Sequence, residues 1–168
     1  MRIRHTRGWL VGGVALALLF TTGCPPKLVH RPTLSVAAAE WLKPGPQTEP
    51  TAQMRRLAKR LRSGDERQTI RRVYQWVRAH RKRFHGFKSS VLRKRTAARL
   101  FRKRTLSGCG DWGVLLASLL RAAGLPTVFV EAMSKRWARG WQMGRGGTYR
   151  GHVFLEIKTK QGWVLLDS

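Results

Sequence analysis

The sequence predicts an α+β domain, and three observations carry that prediction. Apolar residues recur three and four apart from Gln53 to about residue 124, then switch to every second residue. The switch falls at Gly124-Leu125-Pro126, where a glycine and a proline both oppose continuation of a helix. Helices followed by strands, rather than alternating with them, describe an α+β fold.

Before that domain, "MRIRHTRGWLVGGVALALLFTTGC" opens with Arg2, Arg4 and Arg7, continues with an apolar run from Leu10 to Phe20, and reaches Cys24 through small residues. This is the grammar of an export signal, and the run is too short for a comfortable transmembrane helix. It resembles a bacterial lipoprotein signal. That resemblance implies cleavage after residue 23, lipid attachment at Cys24, and a protein anchored at a bacterial cell envelope. An ordinary secretory signal cut nearby is the alternative. Residues 24–52 carry Pro25, Pro26, Pro32, Pro44, Pro46 and Pro50 and read as a tether, with "SVAAAEWL" as a short helix inside it. Residues 53–168 then form one domain, a length that supports a modest core.

Within the domain, Met54, Leu57 and Leu61 share one helical face. A second helix is expected over 66–84, with Ile70, Val73, Tyr74, Val77 and Phe84 at helical spacing. A third covers 96–104 and carries Leu100 and Phe101. A fourth starts at Cys109, has Val114, Leu115, Leu116, Leu119 and Leu120 as its apolar positions, and stops at Gly124. Strands are expected over 127–133, 151–158 and 162–168, the last two joined by a turn at Thr159-Lys160-Gln161. The glycine-rich stretch between the first two strands, with Trp137 and Trp141, reads as a loop flanking a site.

The chain has 34 Lys and Arg against 8 Asp and Glu, a formal charge of +26. Twenty of those cations lie between Arg55 and Arg104 with only Asp65 and Glu66 among them. So large an excess points to anionic surroundings. A membrane surface beside the anchor and an acidic envelope partner both fit, and a solvated helical face is the plainer alternative. Nucleic acid suits the charge but not the export signal, and no nucleic-acid motif is present.

Cys109 sits between Gly108 and Gly110 at the start of its helix, where unpaired N–H groups and the helix dipole favour a thiolate. A nucleophilic thiol needs an imidazole to take its proton and a carboxylate to orient that imidazole. Alternation puts His152 on one face with Phe154 and Glu156, and Asp167 with Trp163 and Leu165. A two- or four-residue hairpin loop brings His152 and Asp167 to the same sheet face, opposite or one diagonal step apart. Asp111, in the first helical turn, is favoured there by the dipole alone. Trp112 and Trp141 are candidates for the wall of a substrate groove.

"SGCGDWGVLLASLLRAAGLPTVFVEA" resembles the core of the transglutaminase-like superfamily: a cysteine followed closely by an acidic, an aromatic and a small residue, then a leucine-rich helix ending Arg-Ala-x-Gly-hydrophobic-Pro. "GHVFLEI" resembles the family's histidine motif, "GWVLLDS" its aspartate motif, and "VYQWVRAH" the helix that opens the domain. The likeness spans about residues 65–168. It implies a papain-like core, a cysteine-bearing helix packed on an antiparallel sheet. It also implies Cys109 as nucleophile, His152 as general base and then acid, and Asp167 as the orienter of His152. The implied chemistry is acyl transfer through a thioester on a protein or peptide substrate: hydrolysis when water is the acceptor, crosslinking when an amine is. No metal or cofactor is needed. Because the sequence ends one residue past Asp167, a catalytically silent, basic binding module of the same fold is the second reading.

Overall fold

One helix in this domain has no face left for solvent over most of its length, and the other elements are arranged around it. The computed structural model describes residues 38–80, 83–84, 94–145 and 151–167. The expected signal peptide, Cys24 and the tether up to residue 37 lie outside the described residues. After a 3-10 turn at Ala38–Leu42, the elements in order are α1 (Ala52–Leu61), α2 (Glu66–His80), β1 (Arg83–Phe84), α3 (Ala97–Lys103), β2 (Thr105–Leu106), α4 (Cys109–Ala122), β3 (Thr127–Met133), α5 (Lys135–Gln142), β4 (Gly151–Thr159) and β5 (Gly162–Leu166). Every residue of α4 from Trp112 to Leu120 is buried. It packs against α1, α2 and α3 on one side and against β3 and β4 on the other. This is an α+β fold with helices laid on a small antiparallel sheet, as the change of period predicts.

The apolar stripes land where their spacing puts them. Met54 and Leu57 of α1, Ile70, Val73 and Val77 of α2, and Leu100 of α3 are buried in one cluster with α4. Thr51 caps α1 by accepting from the Met54 amide at 3.2 Å, and Thr96 caps α3 through the Arg99 amide at 3.3 Å. α2 stops at His80 rather than running on to residue 84. The backbone pairs there instead, Arg83–Phe84 lying parallel to Thr105–Leu106.

Two further readings are corrected. Residues 43–51, read as tether, are tied to the body: the Gln47 carbonyl accepts from the Ala97 amide at 2.7 Å, and the buried Thr48 hydroxyl accepts from Arg121 at 2.9 Å. The glycine-rich stretch read as a loop contains α5. Ser134 caps it through the Trp137 amide at 3.1 Å, a gain of roughly 1 kcal/mol that matches the penalty of Gly140 inside the helix.

The sheet order is β3-β4-β5, antiparallel throughout. Thr159 pairs with Gly162, so Lys160 and Gln161 alone make the turn. Val153, Leu155 and Ile157 are buried on the face toward α4. α4 comes so close here that a Cβ on Gly113 would stand 2.7 Å from the Phe129 ring and 2.8 Å from Val153. Gly113→Val is therefore expected to destabilise the domain by about 1–3 kcal/mol through overpacking, measured by urea unfolding.

Candidate active site

Cys109 is the first residue of α4, partly exposed, and a free thiol. The residue before it turns the chain sharply out of β2. Gly108 has φ of 151°, a conformation that side-chain-bearing residues rarely adopt. No side chain caps this helix end. Its first amides are therefore presented beside the thiol rather than covered by a serine or aspartate.

A part-buried ion pair holds the turn in place. The Asp111 carboxylate accepts from the Ser107 amide at 2.6 Å and pairs with the Arg95 guanidinium. Arg95 also donates to the Ser107 hydroxyl and, at 3.4 Å, to the Thr105 carbonyl. The two ends of the Ser107–Asp111 segment are thus closed on one another, with Cys109 at the apex. Burial pushes the Asp111 carboxyl above its ordinary value, while the Ser107 amide and the Arg95 charge pull against it. Asp111 therefore does more than complement a dipole. Arg95 was not singled out by sequence, because nothing separates it from its neighbours in the basic run.

On the sheet, the two-residue turn sets the register of the other pair. Leu155 faces Leu166, which leaves His152 and Asp167 on one face and one diagonal step apart. His152 Nε2 lies 2.7 Å from Asp167 Oδ1. Both side chains are about half exposed. With Nε2 engaged by the carboxylate, Nδ1 is the nitrogen left for a second partner. Among the described residues no hydrogen bond joins Cys109 to His152. A cleft of about 160 Å³ lies between the two elements, lined by Gly110, Asp111 and Val114 of α4, Phe129 and Glu131 of β3, and Val153 of β4, with Gln47 and Arg95 at its rim. The residue after Cys109 and the residue after His152 both border this cleft.

The two groove tryptophans part company. Trp112 is 5% exposed and packs on Tyr74 with ring centroids 6.0 Å apart. It is core, because the buried run of α4 begins at Trp112. Trp141 is on α5 and well exposed. Glu156, which shares the alternation of His152, is buried.

The profile of the transglutaminase-like superfamily matches residues 55–168. The chain belongs to the transglutaminase-like superfamily. No match is found among curated proteins. Among solved structures, a candidate cysteine protease from Cytophaga hutchinsonii superposes with a TM-score of 0.55 at 14% identity, over 77% of this chain and 41% of that one. The periplasmic domain of TgpA from Pseudomonas aeruginosa, bound to ethylmercury, gives 0.55 at 19% identity, over 77% and 47%. A candidate protease from Parabacteroides distasonis gives 0.51 at 13% identity, over 78% and 25%. This chain spans less than half the length of each, and at these identities the likeness is one of fold.

Arg95→Met leaves the largely buried Asp111 carboxylate without its counter-charge, a loss of roughly 1–3 kcal/mol at neutral pH. The sign with pH follows from the raised folded value of Asp111. The folded state holds the proton more tightly than the unfolded state, so this carboxyl costs stability as pH rises through its folded value. Removing Arg95 raises that value further. Urea unfolding should therefore show the Arg95→Met deficit shrinking as pH falls into the range where Asp111 protonates.

Proposed function

We propose that the chain is an exported cysteine enzyme of the superfamily, performing acyl transfer through a thioester, with peptide or amide hydrolysis as its reaction. The observation that carries this reading is the 2.7 Å bond between His152 Nε2 and Asp167 Oδ1. It fixes the tautomer with Nδ1 free, the nitrogen that must take a thiol proton. His152 is the second residue of β4 and half exposed, and its neighbour Val153 lines the cleft beside Cys109. Catalytic hydrogen bonds of this kind are commonly long in the absence of substrate and tighten once it is bound.

In the proposed sequence the Cys109 thiol gives its proton to His152 Nδ1, and Sγ attacks the scissile carbonyl carbon. Asp167 stabilises the imidazolium that results. The carbonyl oxygen gains negative charge at the uncapped start of α4, where the Cys109 amide and the positive end of the helix dipole favour it. Collapse breaks the C–N bond, and the leaving amine takes the proton from His152. Water, deprotonated in turn by His152, attacks the thioester and releases the acid and the thiol. An amine acceptor in place of water gives a crosslink. The Arg2–Cys24 signal grammar supports export and a lipid anchor at Cys24, and the TgpA domain of like fold is a periplasmic one.

A second reading, a catalytically silent binding module of the envelope, is favoured by one observation: Cys109 is not hydrogen-bonded to His152. The two are separated by alkylation in a Cys24→Ser background, where Cys109 is the remaining thiol. For the enzyme, iodoacetamide labelling persists well below about pH 8.5, where an ordinary cysteine ionises, and His152→Ala moves the profile back up. A profile indifferent to His152 rejects the enzyme reading. On any substrate that is turned over, His152→Ala is expected to lower kcat by about 10²–10⁴-fold, with Asp167→Asn lowering it less than that while leaving KM nearly unchanged.

A further inference from the structure

α5 joins β3 to β4 and contributes no buried residue to the domain. A helix this short is not held by propensity alone and normally owes its place to an apolar face packed on the body. Here the apolar face consists of tryptophan. Trp137 and Trp141, four residues apart, stack with centroids 6.5 Å apart and planes 15° from parallel. Trp141 is 67% exposed and Met143, one residue past the helix, is 60% exposed. Such exposure is unusual for a side chain that ordinarily ranks among the most buried by area.

The charges complete the pattern. Lys135, Arg136 and Arg139 are exposed, and the 100° step of a helix places them off the Trp137–Trp141 face. Arg145 follows, also exposed, and the residues from 135 to 145 include no acid. Aromatic residues on one side and cations on the other describe a helix lying in the interface of a bilayer, with indole rings at headgroup depth and basic side chains reaching phosphates. A peptide or glycan in the site is the competing occupant, but neither tryptophan borders the cleft beside Cys109.

We propose that α5, through Trp141 and Met143 beside Trp137 and with Lys135, Arg136 and Arg139 around them, docks the domain on an anionic phospholipid surface. β3 ends at Met133, which pairs with Gly151, the neighbour of His152. A bilayer gripped by α5 therefore lies at the end of the sheet that carries the His152–Asp167 pair, and favours substrates held close to the membrane. The proposal rests on α5 alone and not on Cys109 acting as a nucleophile.

The test uses the full chain and vesicles of phosphatidylglycerol or phosphatidylcholine with brominated acyl chains. The apolar residues 10–20 would tether the chain to either lipid, so the readout is local. The emission of Trp141 is isolated by subtracting the spectrum of Trp141→Phe. On phosphatidylglycerol this component should shift to the blue and be quenched several-fold more than on phosphatidylcholine. Arg136→Glu combined with Arg139→Glu, both at exposed positions, should reduce the quenching to the phosphatidylcholine level with circular dichroism unchanged. Trp141 left unquenched on sedimented phosphatidylglycerol vesicles overturns the proposal. Equal quenching on both lipids, or a shift produced by soluble cell-wall peptide or glycan fragments instead of vesicles, does so as well. Failure here leaves the alkylation result on Cys109 standing, and the reverse is also true.

Discussion

The burial of α4 is the constraint from which the rest of the domain follows. A helix with nine consecutive buried residues needs partners around its whole circumference, and a chain of this size supplies them only by placing helices on one side and a sheet on the other. That arrangement leaves the two ends of α4 as the places where it can meet solvent. Each end is held by an arginine. Arg121, in the last turn, donates from Nε at 3.1 Å and from Nη2 at 2.7 Å to the Thr127 carbonyl, and from Nη1 to Thr48. It joins the helix to the first residue of β3 and to the segment leading into α1. Arg95 does the corresponding work at the first turn through Asp111 and Ser107. These are guanidinium forks meeting several acceptors at fixed angles, a task that lysine would perform poorly.

The placement of Cys109 follows from these contacts rather than from any contact of its own. Its sulfur sits at the one uncapped end of a helix whose axis is fixed along its length, one residue after a glycine that turns the chain. The His152–Asp167 pair has a different origin. It depends on hairpin arithmetic: a two-residue turn sets a register in which these residues fall diagonally on one face, and a slip of one residue would separate them. Two unrelated constraints, helix burial and turn length, thus place Cys109 and the His152–Asp167 pair. The close approach of Gly113 to Phe129 and Val153 is where they meet, because any side chain at that position would push the cysteine helix away from the strand carrying the histidine.

Much of this was legible in the sequence because it rests on period and punctuation. The limits of α4, the three strands and the shared face of His152 and Asp167 all follow from apolar spacing, from Gly124 and Pro126, and from the parity of a hairpin. What was not legible depends on contacts between distant residues. Arg95 is one cation among twenty in its segment, and its role exists only because Asp111 and Ser107 fold back on it. Gln47 and Thr48 sit in a proline-punctuated stretch that reads as a tether, yet Ala97 and Arg121 bind them to the body. α5 was obscured by its glycine, whose cost is offset by the cap at Ser134. Trp112, a candidate for the groove wall by sequence, proves to be core because the buried run of α4 begins at that residue.

The charge excess bears on how the domain is used. Eight carboxylates cannot neutralise thirty-four cations, and some of them are committed internally: Asp111 to Arg95, Asp167 to His152, and Glu66 to the Lys160 amide at 2.7 Å. Most of the cations on α1 and α2 are exposed, and the surface is left self-repelling. Such a surface gains free energy wherever anions gather, and a planar anionic sheet supplies them at the highest local density. Charge alone makes that attraction diffuse and unable to choose an orientation. Choosing one takes an apolar element at a defined place on the fold, and among the described residues α5 is the helix that places exposed tryptophan next to cations. General attraction would then come from the basic helices and orientation from α5, with the cleft beside Cys109 turned accordingly.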